Sequence, residues 1–489
     1  MTVRTRFAPS PTGYVHIGGL RTFLYCYLWA KKNKGEYILR IEDTDRTRLV
    51  DDAIEGILEV HRELDLMPDE GPHKDGGYGP YIQSERLDIY QEKLHKLCEE
   101  GSAYYCFCTS ERLENLKKEQ MELKLPPRYD KCCRHIPYDE AKNRIDAGEK
   151  YTIRLKVPEA ETIIFNDLVR GKIEFKTSEV DDQVLLKSDG FPTYHGAIVI
   201  DDHAMKITHA FRGEEWISSI PKQVLTARAL GIDLPEYAHL PNILGTDGKK
   251  LSKRTGDVSV VQYLEKGYLK EALLNFLALL GWHPKQDREI MSMDEMIEKF
   301  EITDVHKSGA VFDTVKLDWM NGEYIKNMDT DALYDRLVEF LKTYESTFFE
   351  EVFSQKDEAY NKKILGELKT RMKRLNEYIE LTTFFYEDAK IRNDLLVNSK
   401  MKIETEGDAK ASLQMILPYL KDADFDNEET FKNLILGTIK AADKKNGQVL
   451  WPMRVALSGE QFSPGAFEMA LILGKDETIR RIENLIKSS

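Results

Sequence analysis

The N-terminal end of the chain constrains the fold more than any other stretch. Val3 to Ala8 reads as a short strand, ended by the turn Pro9-Ser10-Pro11-Thr12-Gly13; Leu20 to Ala30 carries apolar residues at helical spacing, and Tyr37 to Ile41 reads as a second strand. Strand, helix and strand in that order form a right-handed crossover unit of a parallel sheet. Helical periodicity resumes from Asp51 to Leu64. Much later, Thr193 to Ile200 reads as sheet returning, followed by a helix from Trp216 to Leu230. The expectation is an α/β protein with a doubly wound, Rossmann-like parallel sheet that is split in sequence by an insertion.

At 489 residues the chain is too long for one core. It is expected to divide into roughly three to five domains of about 100 to 150 residues. Residues 1–95 with 190–245 make the split sheet domain, and 96–189 the insertion, which holds cysteines, Pro126-Pro127 and β-rich pieces such as Tyr151 to Val157 and Val184 to Leu186. Residues 246–326 form a helical domain that includes a Lys-rich loop, with helices expected from Tyr268 to Leu280 and Met293 to Phe300. Residues 327–489 carry no strand signal and are expected to be all-α, in two subdomains with a break near 395–420 and long helices from Lys362 to Phe385 and Asp426 to Lys445.

Composition excludes several classes. Met1-Thr2-Val3-Arg4-Thr5-Arg6 lacks the apolar core of a signal peptide, and no run approaches the roughly 20 apolar residues of a membrane span. A cytoplasmic protein with no membrane partner is expected. Six cysteines are too few for a disulfide framework in so long a chain, and four of them lie between Cys106 and Cys133. The net charge of -14 argues mildly against a nucleic-acid partner but leaves room for a local basic track.

Two short motifs carry the chemistry. His16-Ile17-Gly18-Gly19 lies where the first strand turns into its helix, so free backbone N–H groups and the positive helix end meet there, a ready site for phosphate. The glycines let a nucleotide approach the backbone, and the imidazole can donate to a phosphate oxygen as charge builds on it. Gly248-Lys249-Lys250-Leu251-Ser252-Lys253-Arg254 places four cations on a glycine-bearing loop able to neutralise departing pyrophosphate. Taken singly, the first is also a tight turn with a surface histidine, and the second a solvated lysine run.

Cys106-Phe107-Cys108 and Cys133-Arg134-His135 offer three thiolates and an imidazole, the closed tetrahedral shell of a structural zinc site. Between them, Ser110 can cap a helix through about Lys124, and Pro126-Pro127 turn the chain back. Cys132 or Tyr129 can replace one ligand; unmetallated thiols are the alternative.

His16-Ile17-Gly18-Gly19 and Lys250-Leu251-Ser252-Lys253-Arg254 resemble the two signatures of class I aminoacyl-tRNA synthetases, in the forms of the glutamyl family. The resemblance continues through Arg4 to Gly13, Leu39 to Arg46, Gln83-Ser84-Glu85-Arg86, Asp201-Asp202-His203, Arg212-Gly213-Glu214-Glu215-Trp216, Gly447-Gln448-Val449 and Arg454 to Gly459, so it spans nearly the whole chain. It implies ATP-dependent attachment of L-glutamate to tRNA(Glu) through glutamyl-adenylate, in protein synthesis, with no covalent enzyme intermediate and with Mg2+ accompanying ATP. A non-discriminating enzyme that also charges tRNA(Gln) is an alternative, and an inactive tRNA-binding paralogue a second one. A monomer is expected.

The same resemblance implies roles residue by residue. His16, Gly18, Gly19, Lys250, Ser252, Lys253 and Arg254 serve catalysis; His16, Gly18, Trp216, Lys250 and Lys253 bind ATP. Arg6, Ala8, Ser10, Glu42, Tyr194 and Arg212 line the glutamate pocket, with Arg6 and Arg212 as guanidinium forks for its side chain and Glu42 facing its ammonium. An Arg6–Glu42 salt bridge is the structural alternative. Some relatives have asparagine where Ile198 stands here, which leaves the residues around the substrate ammonium less defined. The implied zinc ligands are Cys106, Cys108, Cys133 and His135. The insertion is assigned to the acceptor end of tRNA and the helical third to the anticodon, where Lys369, Arg371, Lys373 and Arg374 form a cationic helix stretch and Arg371 and Arg454 read bases.

Overall fold

A computed structural model describes residues 2–11, 13, 15–45, 52–251, 259–285 and 288–488. The first crossover unit is β1 (Arg4–Phe7), α1 (Ile17–Lys32) and β2 (Glu36–Leu39). All four residues of β1 are buried, as a central parallel strand covered on both faces requires. The chain continues through α2 (Ala53–Glu63) and α3 (Leu87–Glu99) into the insertion, with β3 (Ala103–Cys106), α4 (Ser110–Glu122), α5 (Tyr138–Asp146), β4 (Thr152–Leu155), β5 (Thr162–Asp167), β6 (Gly171–Lys176) and β7 (Val184–Leu186). It then returns through α6 (Tyr194–Ala204), β8 (His209–Gly213), α7 (Ile220–Leu230) and β9 (Glu236–Leu240).

The parallel sheet runs β2-β1-β8-β9, with Arg6 opposite Ile38 and Phe211 opposite Ala238. Chain order reverses beside β1, since β2 lies on one side and β8 on the other. In open α/β sheets such a switch point opens a crevice at the carboxyl ends of the strands, here beyond Phe7 and Gly213. The helix α1 covers one face with Leu20, Phe23 and Leu24, each fully buried and worth about 1.5–3 kcal/mol as a side chain removed from water.

Two expectations for this part need correction. Thr193 to Ile200 is not sheet but the start of α6; Ile198, Val199 and Ile200 suggest a strand, yet residues 196–202 are buried all round, and a short apolar run has no period that separates strand from helix. Gly196 lets α6 pack against β7, because a Cβ there would stand 2.6 Å from the Leu185 carbonyl oxygen. The helix read from Trp216 begins with a 3-10 turn, Glu214–Ser219, and becomes α-helical only at Ile220, with Pro221 in its first turn.

The insertion builds an antiparallel β3-β4-β7 sheet and a β5-β6 hairpin. Its core, including Tyr90, Leu94, Ile153 and Leu185, is continuous with Ala197 and Ile200 of α6. The cap of α4 is Thr109, whose side chain accepts from the Arg112 N–H at 3.2 Å, one residue before the expected Ser110.

The chain separates into two compact units, Met1–Gln262 with Leu273–Thr314, and Tyr263–Ala272 with Val315–Ser489. The second unit is helical, with no strand among its described residues. Leu337, Leu365, Leu413, Ile435, Met453 and Ile482 contribute to its core. The long helix expected from Lys362 to Phe385 is two helices, Glu358–Leu368 and Glu377–Tyr386. Between them the Lys373 carbonyl accepts from Asn321 at 2.5 Å and the Leu375 N–H donates to Gly267 at 2.9 Å, so neither joins a helical ladder. The cationic stretch of Lys369, Arg371, Lys373 and Arg374 therefore lies on a turn. The helix expected from Asp426 to Lys445 is Glu428–Ala441, capped by Asn427. No helix among the described residues is long and apolar enough to cross a membrane.

Candidate active site

A cavity of about 530 Å³ opens at the switch point. Arg6, Ala8, Ser10, His16, Gly18, Gly19, Glu42, Tyr194, Arg212, Trp216 and Lys250 all line it. Ser252, Lys253 and Arg254 lie outside the described residues. The segment that follows the second motif meets the first: Ser259 bridges His16, and the Val260 N–H donates to the Val15 carbonyl at 3.3 Å. A chain that leaves the cavity at Leu251 thus comes back beside the N-terminus of α1.

His16 is the N-cap of α1. Its Nδ1 accepts from the Gly19 N–H at 3.0 Å, so the neutral ring carries its proton on Nε2. Gly18 is what permits this: a Cβ there would come within 3.1 Å of the imidazole. Lys250 pairs with Glu215 at 3.1 Å on the rim. Tyr194 and Trp216 pack with ring centroids 4.4 Å apart, forming an aromatic wall.

The floor is charged and nearly dry. Arg6 is 3% exposed and gives Nε and Nη2 to the carboxylate of Asp202 at 3.1 and 3.3 Å. Arg40 gives Nη1 to the same carboxylate at 2.7 Å and Nη2 to Glu42 at 3.0 Å. In place of the alternative Arg6–Glu42 bridge there is a chain, Arg6–Asp202–Arg40–Glu42. Burial alone pushes the Asp202 carboxyl up, but Arg6 and Arg40 outweigh it and hold the group below its ordinary range. Glu42 goes the other way, raised by burial against the pull of Arg40 and Arg6.

Arg212 has different company. Its Nε donates to His239 Nε2 at 2.9 Å, Nη1 to the Tyr194 hydroxyl at 3.3 Å and Nη2 to Gln223 Oε1 at 2.7 Å, and its guanidinium lies 4.3 Å over the Tyr237 ring. Sequence reasoning gave no role to Arg40, Asp202, Glu215, Gln223 or His239. Arg40, Asp202 and Glu215 stand inside quoted motifs; His239 is a lone histidine on a strand and carries no local signal.

In the insertion, the sulfurs of Cys106, Cys108 and Cys133 all lie within 4.8 Å of one another. The Tyr129 hydroxyl oxygen stands 3.3 Å from Cys106 and 3.6 Å from Cys108, and Cys132 Sγ 3.3 Å from Cys108. Several soft donors gathered on one point suit a zinc ion. His135 does not join them. It is exposed, because Arg134 beside it is drawn to Asp182 at 2.7 Å and to the Val157 carbonyl at 2.8 Å, which turns the following residue away.

In the helical unit Arg371 and Arg454 are brought to one loop. Arg371 donates to the Ser463 carbonyl and Arg454 to that of Gln461, each at 2.6 Å, while Arg454 also lies 4.4 Å over Trp451.

Known proteins with this arrangement are similar over the full length. Residues 2–319 match the family of tRNA synthetases class I (E and Q), catalytic domain, and 332–486 match the anticodon binding domain. A glutamate–tRNA ligase of Clostridium botulinum is 46% identical over 98% of this chain and 97% of its own, and one of Alkaliphilus metalliredigens 44% identical over 99% and 98%. The crystal structure of a glutamate tRNA ligase from Elizabethkingia meningosepticum, in complex with its amino acid, superposes with a TM-score of 0.91 at 37% identity, covering both chains completely. A parallel sheet with its cavity at the switch point, a helical C-terminal unit and likeness along the whole length place this chain in the class I tRNA synthetases of the E and Q group, in the glutamate–tRNA ligase family.

Proposed function

We propose that this chain attaches L-glutamate to tRNA(Glu), using ATP and passing through glutamyl-adenylate. The observation that carries the reading is the single cavity in which a helix N-terminus capped by His16 meets Arg6, Arg212 and Glu42. The first part suits a polyphosphate, and the second a zwitterion with an additional carboxylate.

In the first step an oxygen of the glutamate α-carboxylate forms a bond to the α-phosphorus, and the bond to the bridging oxygen breaks as pyrophosphate leaves with the electron pair. The N–H groups at the start of α1 and the Nε2–H of His16 stabilise the phosphate charge, and Lys250 exchanges Glu215 for the departing phosphates, a task that Lys253 and Arg254 share. In the second step a ribose hydroxyl of the terminal tRNA adenosine attacks the acyl carbon, the bond from that carbon to the phosphate oxygen breaks, and AMP departs with the hydroxyl proton on its phosphate. The chain contributes position and charge, not a nucleophile. Arg212 and Arg6 face the side-chain carboxylate with Tyr194 beside Arg212, Glu42 faces the ammonium, and Trp216 lies on the ATP side.

Magnesium enters with the triphosphate. Cys106, Cys108 and Cys133 would hold a structural zinc, with Tyr129 or Cys132 as fourth ligand, and the ion would tie β3 to the 129–133 segment of the insertion. The helical unit binds the anticodon, with Arg371 and Arg454 at the reading loop. ATP–pyrophosphate exchange with glutamate, run with and without tRNA, tests the activity; exchange appearing only with tRNA is the expected result, and none under either condition would leave a tRNA-binding protein. Charging of tRNA(Glu) and tRNA(Gln) side by side fixes the tRNA range.

A further inference from the structure

The two arginines of the glutamate pocket are not equivalent. Arg6 meets a carboxylate, Asp202, through two of its nitrogens. Arg212 is buried, and among the described residues none of its hydrogen bonds goes to a carboxylate: its acceptors are an imidazole, a phenol and an amide. A buried cation with only neutral partners keeps its full attraction for an incoming anion.

What holds it that way is fixed by chemistry. His239 is fully buried, and its Nε2 can accept from Arg212 Nε only while unprotonated. Its proton then sits on Nδ1, 2.6 Å from Asp167 Oδ2. Burial lowers the proton affinity of His239, the bond to Asp167 opposes this and Arg212 adds to it, with a net lowering. Asp167 itself is anchored at the end of β5 by the N–H groups of Val169 and Arg170 at 3.0 and 2.8 Å and by the backbone N–H of His239. The inserted hairpin thus reaches the edge strand β9 and locks one tautomer.

We propose that His239, locked by Asp167, is a positioning residue that aims Arg212 and leaves its charge uncompensated, and so sets the preference of this pocket for a side-chain carboxylate over a carboxamide. The inference rests on the glutamate-pocket reading above. The alternative is a purely structural tie between β5 and β9.

The test uses the full-length enzyme with tRNA, measuring KM for glutamate, ATP and tRNA and the glutamate-to-glutamine ratio of kcat/KM. His239→Ala is expected to raise the glutamate KM about tenfold or more and lower the ratio similarly, with the ATP and tRNA KM values within about twofold of the parent. His239→Gln, whose amide oxygen can still accept from Nε, is expected to recover most of the loss. Should the alanine variant not fold, Asp167→Asn takes its place, with a glutamate KM raised about threefold and the ATP KM unchanged. Equal shifts in all three KM values, a change in melting temperature alone, or a glutamine variant no better than alanine would each overturn the proposal. Arg212→Ala separates the layers: if it leaves glutamate kinetics normal, the pocket reading fails; if it raises the glutamate KM while the His239 and Asp167 variants do not, only the positioning pair fails.

Discussion

Nε of Arg6 lies 3.1 Å from Oδ1 of Asp202, and that same oxygen receives Nη1 of Arg40 at 2.7 Å. One carboxylate, sealed from solvent, therefore answers two guanidiniums, and Glu42 completes the balance through Arg40. Asp202→Asn keeps the shape but leaves Arg6 without its paired carboxylate and Arg40 with only Glu42 and the more distant Asp201. A loss of about 3–5 kcal/mol in stability is expected, together with a raised KM for glutamate. Denaturant titration measures the first; a loss below about 1 kcal/mol would show that the chain of charges relaxes without its middle member.

The cysteine cluster makes a separate prediction. Purified protein is expected to carry about one zinc per chain, as a closed structural site does. Cys106→Ser and Cys133→Ser should abolish it, Tyr129→Phe should weaken its retention in chelator, and His135→Ala should leave it intact, because His135 stands apart from the sulfurs. Elemental analysis of the four variants decides between ligand sets. Loss of zinc in His135→Ala with full retention in Tyr129→Phe would restore the histidine.

What the sequence disclosed follows how local each cause is. The first crossover unit was readable because β1, its Pro-rich turn and α1 are specified by neighbouring residues. Residues 193–200 were misread because α6 is buried on every side and has lost the polar stripe that marks a helix. The break after Leu368 is made by Asn321 and Gly267, and the turning away of His135 by Asp182, all distant in sequence. The pocket divides the same way. Arg6, Glu42, Tyr194 and Arg212 were named from motif resemblance, whereas Asp202, 196 residues from Arg6, and Asp167, 72 from His239, act through pairings that no spacing rule reveals.

Arg371 lends itself to a test in the helical unit. Its Nη1 holds the Ser463 carbonyl while most of the side chain is exposed, so replacing it removes one anchor of the 459–465 loop without opening the core. Arg371→Gln is expected to lower kcat/KM for tRNA(Glu) about tenfold and to change stability by less than about 1 kcal/mol. Glutamate and ATP KM values should not move. Unchanged charging of tRNAs with CUC and UUC anticodons would remove Arg371 from the reading surface.

His61 predicts how stability depends on pH. It is fully buried, stacked 4.4 Å from Phe23, with Nδ1 2.7 Å from the Ile57 carbonyl and Nε2 2.9 Å from the Tyr37 hydroxyl. A carbonyl only accepts, so the proton sits on Nδ1 and Nε2 takes the tyrosine hydrogen; an imidazolium would lose that bond in a dry site. Burial pushes the group down from 6.5 to about 4, against the opposing bond to Ile57. Between those values the unfolded chain binds the proton and the folded one does not. The contribution is therefore complete above pH 6.5 and is lost as pH falls toward 4, about 3 kcal/mol in all. His61→Asn keeps a donor for Ile57 and does not titrate. It should be less stable than the parent at pH 7, and the gap in denaturant midpoint should close as the pH is lowered to about 4.5; a gap constant with pH would mean that the buried imidazole is already charged or readily rehydrated.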